Sequence, residues 1–218
     1  MSRASDLIRE LFHSPKLFAS RGKSYQLLQE YFGGHSLQTI LPLIASDSVE
    51  VRRVAVFIVS ELGSAATPLL QEVLKLENDE DRYINYHFLE IIMVCGDGNF
   101  ASAFVHVVKS LVSDDEIIRG LAMRLVFNAS LTQLEGAYEE CNRQPVKNIE
   151  HLNGLSVLLN GENIEVKQII ELLIDPTPLA KKYGAIAARK NTNHLSSVLS
   201  TLSQLEDADI VNFLGGSV

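Results

Sequence analysis

The sequence predicts an all-α fold in which helical hairpins pile into an α-α superhelix, and three observations carry that expectation. A thirteen-residue apolar segment recurs five times at nearly constant intervals. Inside each copy the apolar residues return every three or four positions, the spacing of one helix face. No stretch sustains the period-two alternation of a half-buried strand. Self-similarity at thirty-odd residues marks units that cannot bury their apolar faces alone and therefore stack on one another.

Taken in order, residues 1–35 read as an N-terminal cap of short helices, broken at Ser14-Pro15 and near Gly22 and closed by Gly33-Gly34. Proline ends a preceding helix and suits the first turn of the next. The repeats span 36–206. Their strongest helix is VRRVAVFIVSELG, residues 51–63, where Val51, Val54, Ala55, Ile58, Val59 and Leu62 form the apolar stripe. Its counterparts are 84–96, 118–130, 149–161 and 179–191, with successive ends 33, 34, 31 and 30 residues apart. Ser46-Asp47, Asn78-Asp79 and Ser113-Asp114 precede the three best copies, where side-chain oxygens can accept from free amides of a first turn. Gly63, Gly96 and Gly161 stand where left-handed C-terminal caps are expected. Between these helices come partners at 66–76 (with Pro68 in a first turn), 100–112, 131–141, 164–174 and 195–205. Residues 207–218 supply a C-terminal cap and tail. The whole of 1–218 reads as one such domain.

Composition narrows the function classes. The chain has 218 residues, 46% of them hydrophobic and 21% charged, as in a folded globular protein. Its net charge of −8 argues against a protein built to hold a nucleic-acid backbone. Residues 1–35 carry five basic and three acidic side chains, residues 36–175 ten and twenty-one, and residues 176–218 four and three. A net of −11 thus falls on the central repeats, a field that steers a basic partner. Cys95 and Cys141, with no CxxC or Cys/His cluster, exclude a disulfide or zinc-finger framework. The first residues lack a signal-peptide core, and no apolar run approaches the roughly 18 residues of a membrane span. A cytoplasmic protein without membrane contact is expected.

The segment VRRVAVFIVSELG, preceded by SDSVE, resembles the second helix of a HEAT repeat: an acidic turn, then Val-Arg, an alanine three residues on, and a closing Leu-Gly. The copy at Ile118, with Arg119 and Ala122, is similar. The copy at Ile84 departs, having Asn85 for the arginine and Phe88 for the alanine. The resemblance implies a HEAT/armadillo-like solenoid of about five repeats, with Arg52 and Arg119 pairing to turn aspartates. HEAT-built iron hydroxylases would need His-Glu dipeptides, and none of the six histidines precedes a glutamate. HEAT-like glycosylases need a basic face with aromatic residues, against which stand the central charge and the lack of tryptophan. No catalytic, metal or cofactor site is expected.

In a HEAT-like array the seventh position of each copy faces the concave side. Here it holds Phe57, Glu90, Arg124, Leu155 and Ala185. Tyr83 and Tyr86 share a helix face with Glu90, and Glu61, Asp79 and Glu80 extend the acidic set. Phe57, Glu61, Asp79, Glu80, Tyr83, Tyr86, Glu90 and Arg124 are therefore the candidate partner-binding residues. Two readings of the aromatic residues stand at this point: anchors for a partner, or packing against a neighbouring helix. The acids likewise divide between docking and helix capping, although capping explains one acid per repeat and not the runs Asp79-Glu80-Asp81 and Asp114-Asp115-Glu116. A compact acidic HEAT-like chain resembles immunity proteins that neutralise nuclease toxins. The function expected is a non-enzymatic inhibitor holding a basic protein, such as a nuclease-type toxin domain, without direct nucleic-acid contact. A general assembly adaptor, or a HEAT-like lyase attaching a pigment to a protein, is the alternative.

Overall fold

Helices account for most of the described residues in a computed structural model that describes residues 2–191, 198 and 207–215, and no strand occurs among them. The fold is all-α. The chain divides into two compact units, residues 1–95 and 96–218.

The first unit opens with α1 (Arg3–His13), α2 (Pro15–Ser20) and α3 (Lys23–Phe32), broken where the sequence indicates. Pro15 begins α2, and Gly22 precedes α3 in the left-handed region at φ 68°, which glycine occupies without steric cost. Lys23 pairs with Glu10, tying α3 to α1, while Leu7, Leu11, Phe18 and Leu27 fill the space between the helices. A short 3₁₀ turn and α4 (Leu41–Ile44), which the periodicity did not single out, lead into α5 (Val49–Glu61).

α5 buries Val51, Val54, Ala55, Val56, Ile58 and Val59, each large one worth about 1.5–3 kcal/mol relative to exposure. Its partner over 63–76 is not one α-helix. Two 3₁₀ stretches flank α6 (Leu70–Val73), and Pro68 sits inside the first, where its missing N–H interrupts α-helical bonding. α7 (Arg82–Cys95) then runs parallel to α5. Arg52 and Arg53 at the start of α5 bond to Asp79 and Asp81 at the start of α7, Ser60 meets His87, and Cys95 donates to the Gly63 carbonyl.

The second unit starts with another broken helix, 98–112, built around α8 (Val105–Lys109). Next come α9 (Glu116–Asn128), α10 (Leu131–Asn142), α11 (Ile149–Leu158), α12 (Val166–Ile174) and α13 (Pro178–Lys190), followed by the helix Ala208–Gly215. The predicted helix at 195–205 lies outside the described residues except for Val198, which is helical and buried. α10 opens on a Ser130/Gln133 capping box and packs closely on the 98–104 turns. A Cβ on Gly136 would come within 2.4 Å of the Ala101 backbone, so only glycine fits there.

α9 lies along α13, the fifth copy of the motif, through bonds from Lys182 to the Leu111 carbonyl and from Lys190 to the Ala129 carbonyl. The helix Ala208–Gly215 joins both. Arg119 and Lys182 converge on Asp209, at 2.6 and 2.9 Å. Burial alone would raise the Asp209 carboxyl, but these two cations outweigh it and hold it below the usual carboxylate range. Arg119 thus finds its aspartate ninety positions along the chain, because α9 packs against α13 and the helix Ala208–Gly215.

Three expected caps move. Ser48, not Asp47, precedes α5, and its side chain caps no amide. At α7 the cap is Asp81, bonded to the Ile84 amide, and at α9 it is Asp115, bonded to the Ile117 and Ile118 amides. Each helix begins two residues before the first apolar residue of its copy, and a capping side chain reaches only the N2 and N3 amides. That leaves Asp79 and Asp114 too far upstream. The left-handed glycine expected at Gly96 is Gly98, at φ 53°, whereas Gly63 and Gly161 stand as expected.

Candidate protein-binding site

On the first unit, α5 and α7 bring aromatic and charged side chains to one surface. Arg53, Phe57 and Glu61 follow one another at four-residue steps along α5, and Tyr83, Tyr86, His87 and Glu90 at three- and four-residue steps along α7. Phe57 is half-buried. Its ring stands edge-on to Tyr25 from α3, centroids 5.1 Å apart, and 6.2 Å from His87. Tyr83 meets His87 at 4.5 Å and Tyr86 meets it at 5.7 Å, so the imidazole is the centre of an aromatic cluster.

The hydrogen bonds around His87 assign its proton. Ser60 donates its hydroxyl to the Phe57 carbonyl, leaving its Oγ as an acceptor 3.0 Å from His87 Nδ1. Glu90 Oε2 lies 3.1 Å from the same nitrogen. Nδ1 therefore carries the hydrogen, and burial lowers the imidazole below its ordinary value, favouring the neutral ring. The Tyr83 phenol is raised by burial first, then by Tyr25 and the carboxylates of Glu61 and Glu90. Both acids therefore act on the same aromatic patch.

Between α2, α3 and α5 this surface deepens into a groove of about 730 Å³, lined by Tyr25, Phe57, Tyr83, Glu50, Arg53 and Lys16 among others. Arg53 holds Asp81 through a two-pronged guanidinium–carboxylate pair, and Lys16 approaches Glu50 at 3.4 Å. Tyr25 is 62% exposed and Tyr83 43%, so the aromatic walls remain in contact with water. Among the described residues Glu61 and Glu80 are exposed and form no ion pair.

The structure thus gathers Phe57, Glu61, Tyr83, Tyr86 and Glu90 on one patch of the first unit, leaves Asp79 and Glu80 outside that patch, and puts Arg124 on the other unit. Asp79 faces inward: its side chain is only 6% exposed, and it accepts from Arg52 Nε at 2.7 Å while Arg52 Nη1 holds the Ser46 and Asp47 carbonyls. It links two helix starts and is unsuited to docking. Glu80, its neighbour, points to water. Arg124 belongs to the second unit, where it is exposed and lines a different groove of about 550 Å³ with Arg189, Asn212 and Phe213. Tyr25, Arg53 and His87 were not among the predicted residues. The four-residue steps from Arg53 to Phe57 and from Tyr83 to His87 carried the signal for two of them. Tyr25 arrives from another helix, and no local pattern announces it.

Elsewhere the polar chemistry is structural. His151 Nδ1 meets the hydroxyl of the fully buried Tyr183 at 3.0 Å, and burial, with a lesser push from Lys109, lowers that imidazole to about 4. Cys95 and Cys141 are buried, and burial raises both thiols, the less reactive condition. Among the described residues no three metal-ligating side chains gather, and no helix is long and apolar enough to cross a membrane. Comparison of the chain with protein-family models, with curated proteins and with solved structures found no match.

Proposed function

We propose that this chain is a non-enzymatic protein-binding module, HEAT-like in its repeats, whose acidic and aromatic surface on the first unit captures a basic protein in the cytoplasm. The observation that carries the reading is the aromatic cluster of Tyr25, Phe57, Tyr83 and Tyr86, in which Tyr25 and Tyr83 are exposed, beside the carboxylates of Glu61 and Glu90. Exposed aromatic side chains are frequent anchors of protein interfaces, and carboxylates around them set the sign of the partner. In its most specific form the module is an immunity-type inhibitor, and the partner a nuclease-type toxin domain whose nucleic-acid-binding face is basic.

The test is association kinetics with a basic nuclease domain at low and high salt. Reversing Glu61, Glu80 and Glu90 together is expected to slow association about tenfold or more at low salt and to leave helicity intact. Asp79 is left unchanged, because its loss would disturb α5 and α7. An association rate indifferent to both salt and charge reversal refutes the acidic-surface reading.

A further inference from the structure

We infer that the groove beside Phe57 takes a proline-rich segment of the partner in the extended polyproline conformation. The inference rests on the protein-binding reading and names the form of chain that the partner presents. Tyr25 and Phe57 meet at 74°, and Tyr83 lines the same groove, so three helices, α3, α5 and α7, each contribute an aromatic ring. Gly22 also lines the groove, and no atom stands within 4 Å of where its Cβ would be, which leaves room for a main chain to approach.

The polar groups of the groove select its occupant. Tyr25 is 62% exposed and Tyr83 43%, and neither hydroxyl bonds to a described residue, so both phenols donate to water. A partner covering the rings displaces that water, and each phenol then needs a new acceptor. A helix spends its carbonyls on its own amides. A strand needs a sheet edge to satisfy its amides, and the described residues hold no strand. A polyproline segment has neither amide hydrogens to satisfy nor internal hydrogen bonds. Its carbonyls are free to accept from the phenols while its pyrrolidine rings cover the aromatic faces. It is also stiff before it binds, which lowers the cost of ordering it.

Charge complementarity points to a neutral occupant. The charged residues of the lining are Lys16, Arg53 and Glu50. Lys16 lies 3.4 Å from Glu50, and Arg53 is held by both oxygens of Asp81. Each cation of the groove therefore has its own carboxylate, and these four charges cancel. A charged side chain entering here would lose water and find no unpaired ion in the lining to replace it. Proline brings no charge and leaves both pairs intact.

The experiment titrates the full chain, labelled with nitrogen-15, with acetyl-hexaproline-amide and with a neutral control of equal length, Ac-Gly-Ala-Gly-Ala-Gly-Ala-amide. Hexaproline is expected to shift amide resonances centred on residues 22–25, 53–57 and 83. Its binding should change less than about twofold between low and high salt, because no unpaired charge takes part. The flexible control should bind about fivefold more weakly or worse. Tyr25→Phe with Tyr83→Phe keeps both rings and removes both donors, and it should weaken hexaproline binding about fivefold or more. Tyr138→Phe, on the second unit, should change it less than about twofold. Because neither groove hydroxyl bonds to a described residue, the double variant should retain native helicity.

Equal binding of the control peptide, undiminished binding by the double phenylalanine variant, or shifts centred away from the groove overturn the inference. So does the absence of any shift at about 5 mM hexaproline, above the roughly 1 mM of a weak complex. Each of these results leaves the acidic docking surface standing, because the salt-dependent association with a basic nuclease domain decides that reading separately. Conversely, hexaproline shifts at the groove without that association keep the polyproline site and remove the basic partner.

Discussion

Replacing Gly154 with alanine probes the close contact of α11 with α13. A Cβ at that position would stand 2.1 Å from Tyr183 Cδ2, 2.2 Å from Cγ and 2.7 Å from Cδ1. Carbon atoms in contact prefer about 3.5–4.0 Å, so the ring must retreat by about 1.5 Å. It has no free space to do so, being fully buried between α11 and α13. Such overpacking costs about 1–3 kcal/mol. The retreat also pulls the Tyr183 hydroxyl from His151 Nδ1, now at 3.0 Å, and a buried polar group left unpaired costs about 1–3 kcal/mol more. Alanine returns about 1 kcal/mol through its better helix propensity. The expected net loss is about 1–5 kcal/mol, measured by urea unfolding followed by far-ultraviolet circular dichroism at pH 7. The same substitution made in a Tyr183→Leu background, where the ring is gone, should cost less than about 1 kcal/mol or stabilise slightly. If Gly154→Ala is neutral with Tyr183 present, or costs the same in both backgrounds, the close approach of these helices is wrongly described.

Three further outcomes follow from particular contacts. Asp79→Ala should lose about 2–3 kcal/mol, since the partly buried Arg52 loses its carboxylate and its Nε is left without an acceptor, whereas Glu80→Ala should stay within about 0.5 kcal/mol; equal losses in urea unfolding would refute the different placements of these neighbours. His151 is depressed to about 4 in the folded protein against about 6.5 when unfolded, so its contribution is complete above pH 6.5 and falls as pH drops toward 4. That amounts to as much as about 3 kcal/mol, and His151→Gln should flatten the stability profile over this window; an unchanged slope would show that other groups cause it. Phe57→Ala should cost about 1–2 kcal/mol, less than a fully buried phenylalanine, because the ring is half-buried against Tyr25 and His87; a thermal-melt or urea measurement showing more than about 3 kcal/mol would place Phe57 in the core.

Helical periodicity is a property of one segment at a time, and so the five motif helices were legible, each to within about three residues at its ends. Of their partners, 131–141 and 164–174 match α10 and α12 to within two residues, whereas the first two are not single α-helices. At 63–76 Pro68 splits the helix into 3₁₀ and α portions, and at 98–112 the glycine contact of Gly136 with Ala101 presses the chain close to α10. The first effect is local and visible in the sequence, while the second comes from a helix thirty residues away. For the site, the three-residue steps from Tyr83 to Tyr86 and from His87 to Glu90 place those side chains on one helix face through spacing alone.

The chain alone determined that α-helices form, where most of them start and stop, and that negative charge gathers on the central segments, because propensity, apolar spacing and composition act within a few residues. Tertiary structure decided what each acid does. Asp79, Glu80 and Asp81 are consecutive, yet the first is held by Arg52, the second faces water and the third is held by Arg53, from a helix 27 and 28 residues earlier. Asp209 serves Arg119 across ninety positions, and Tyr25 reaches Phe57 from α3. Ion pairs and ring contacts act over a few ångströms of space, so their partners depend on how helices pack, which no local pattern encodes.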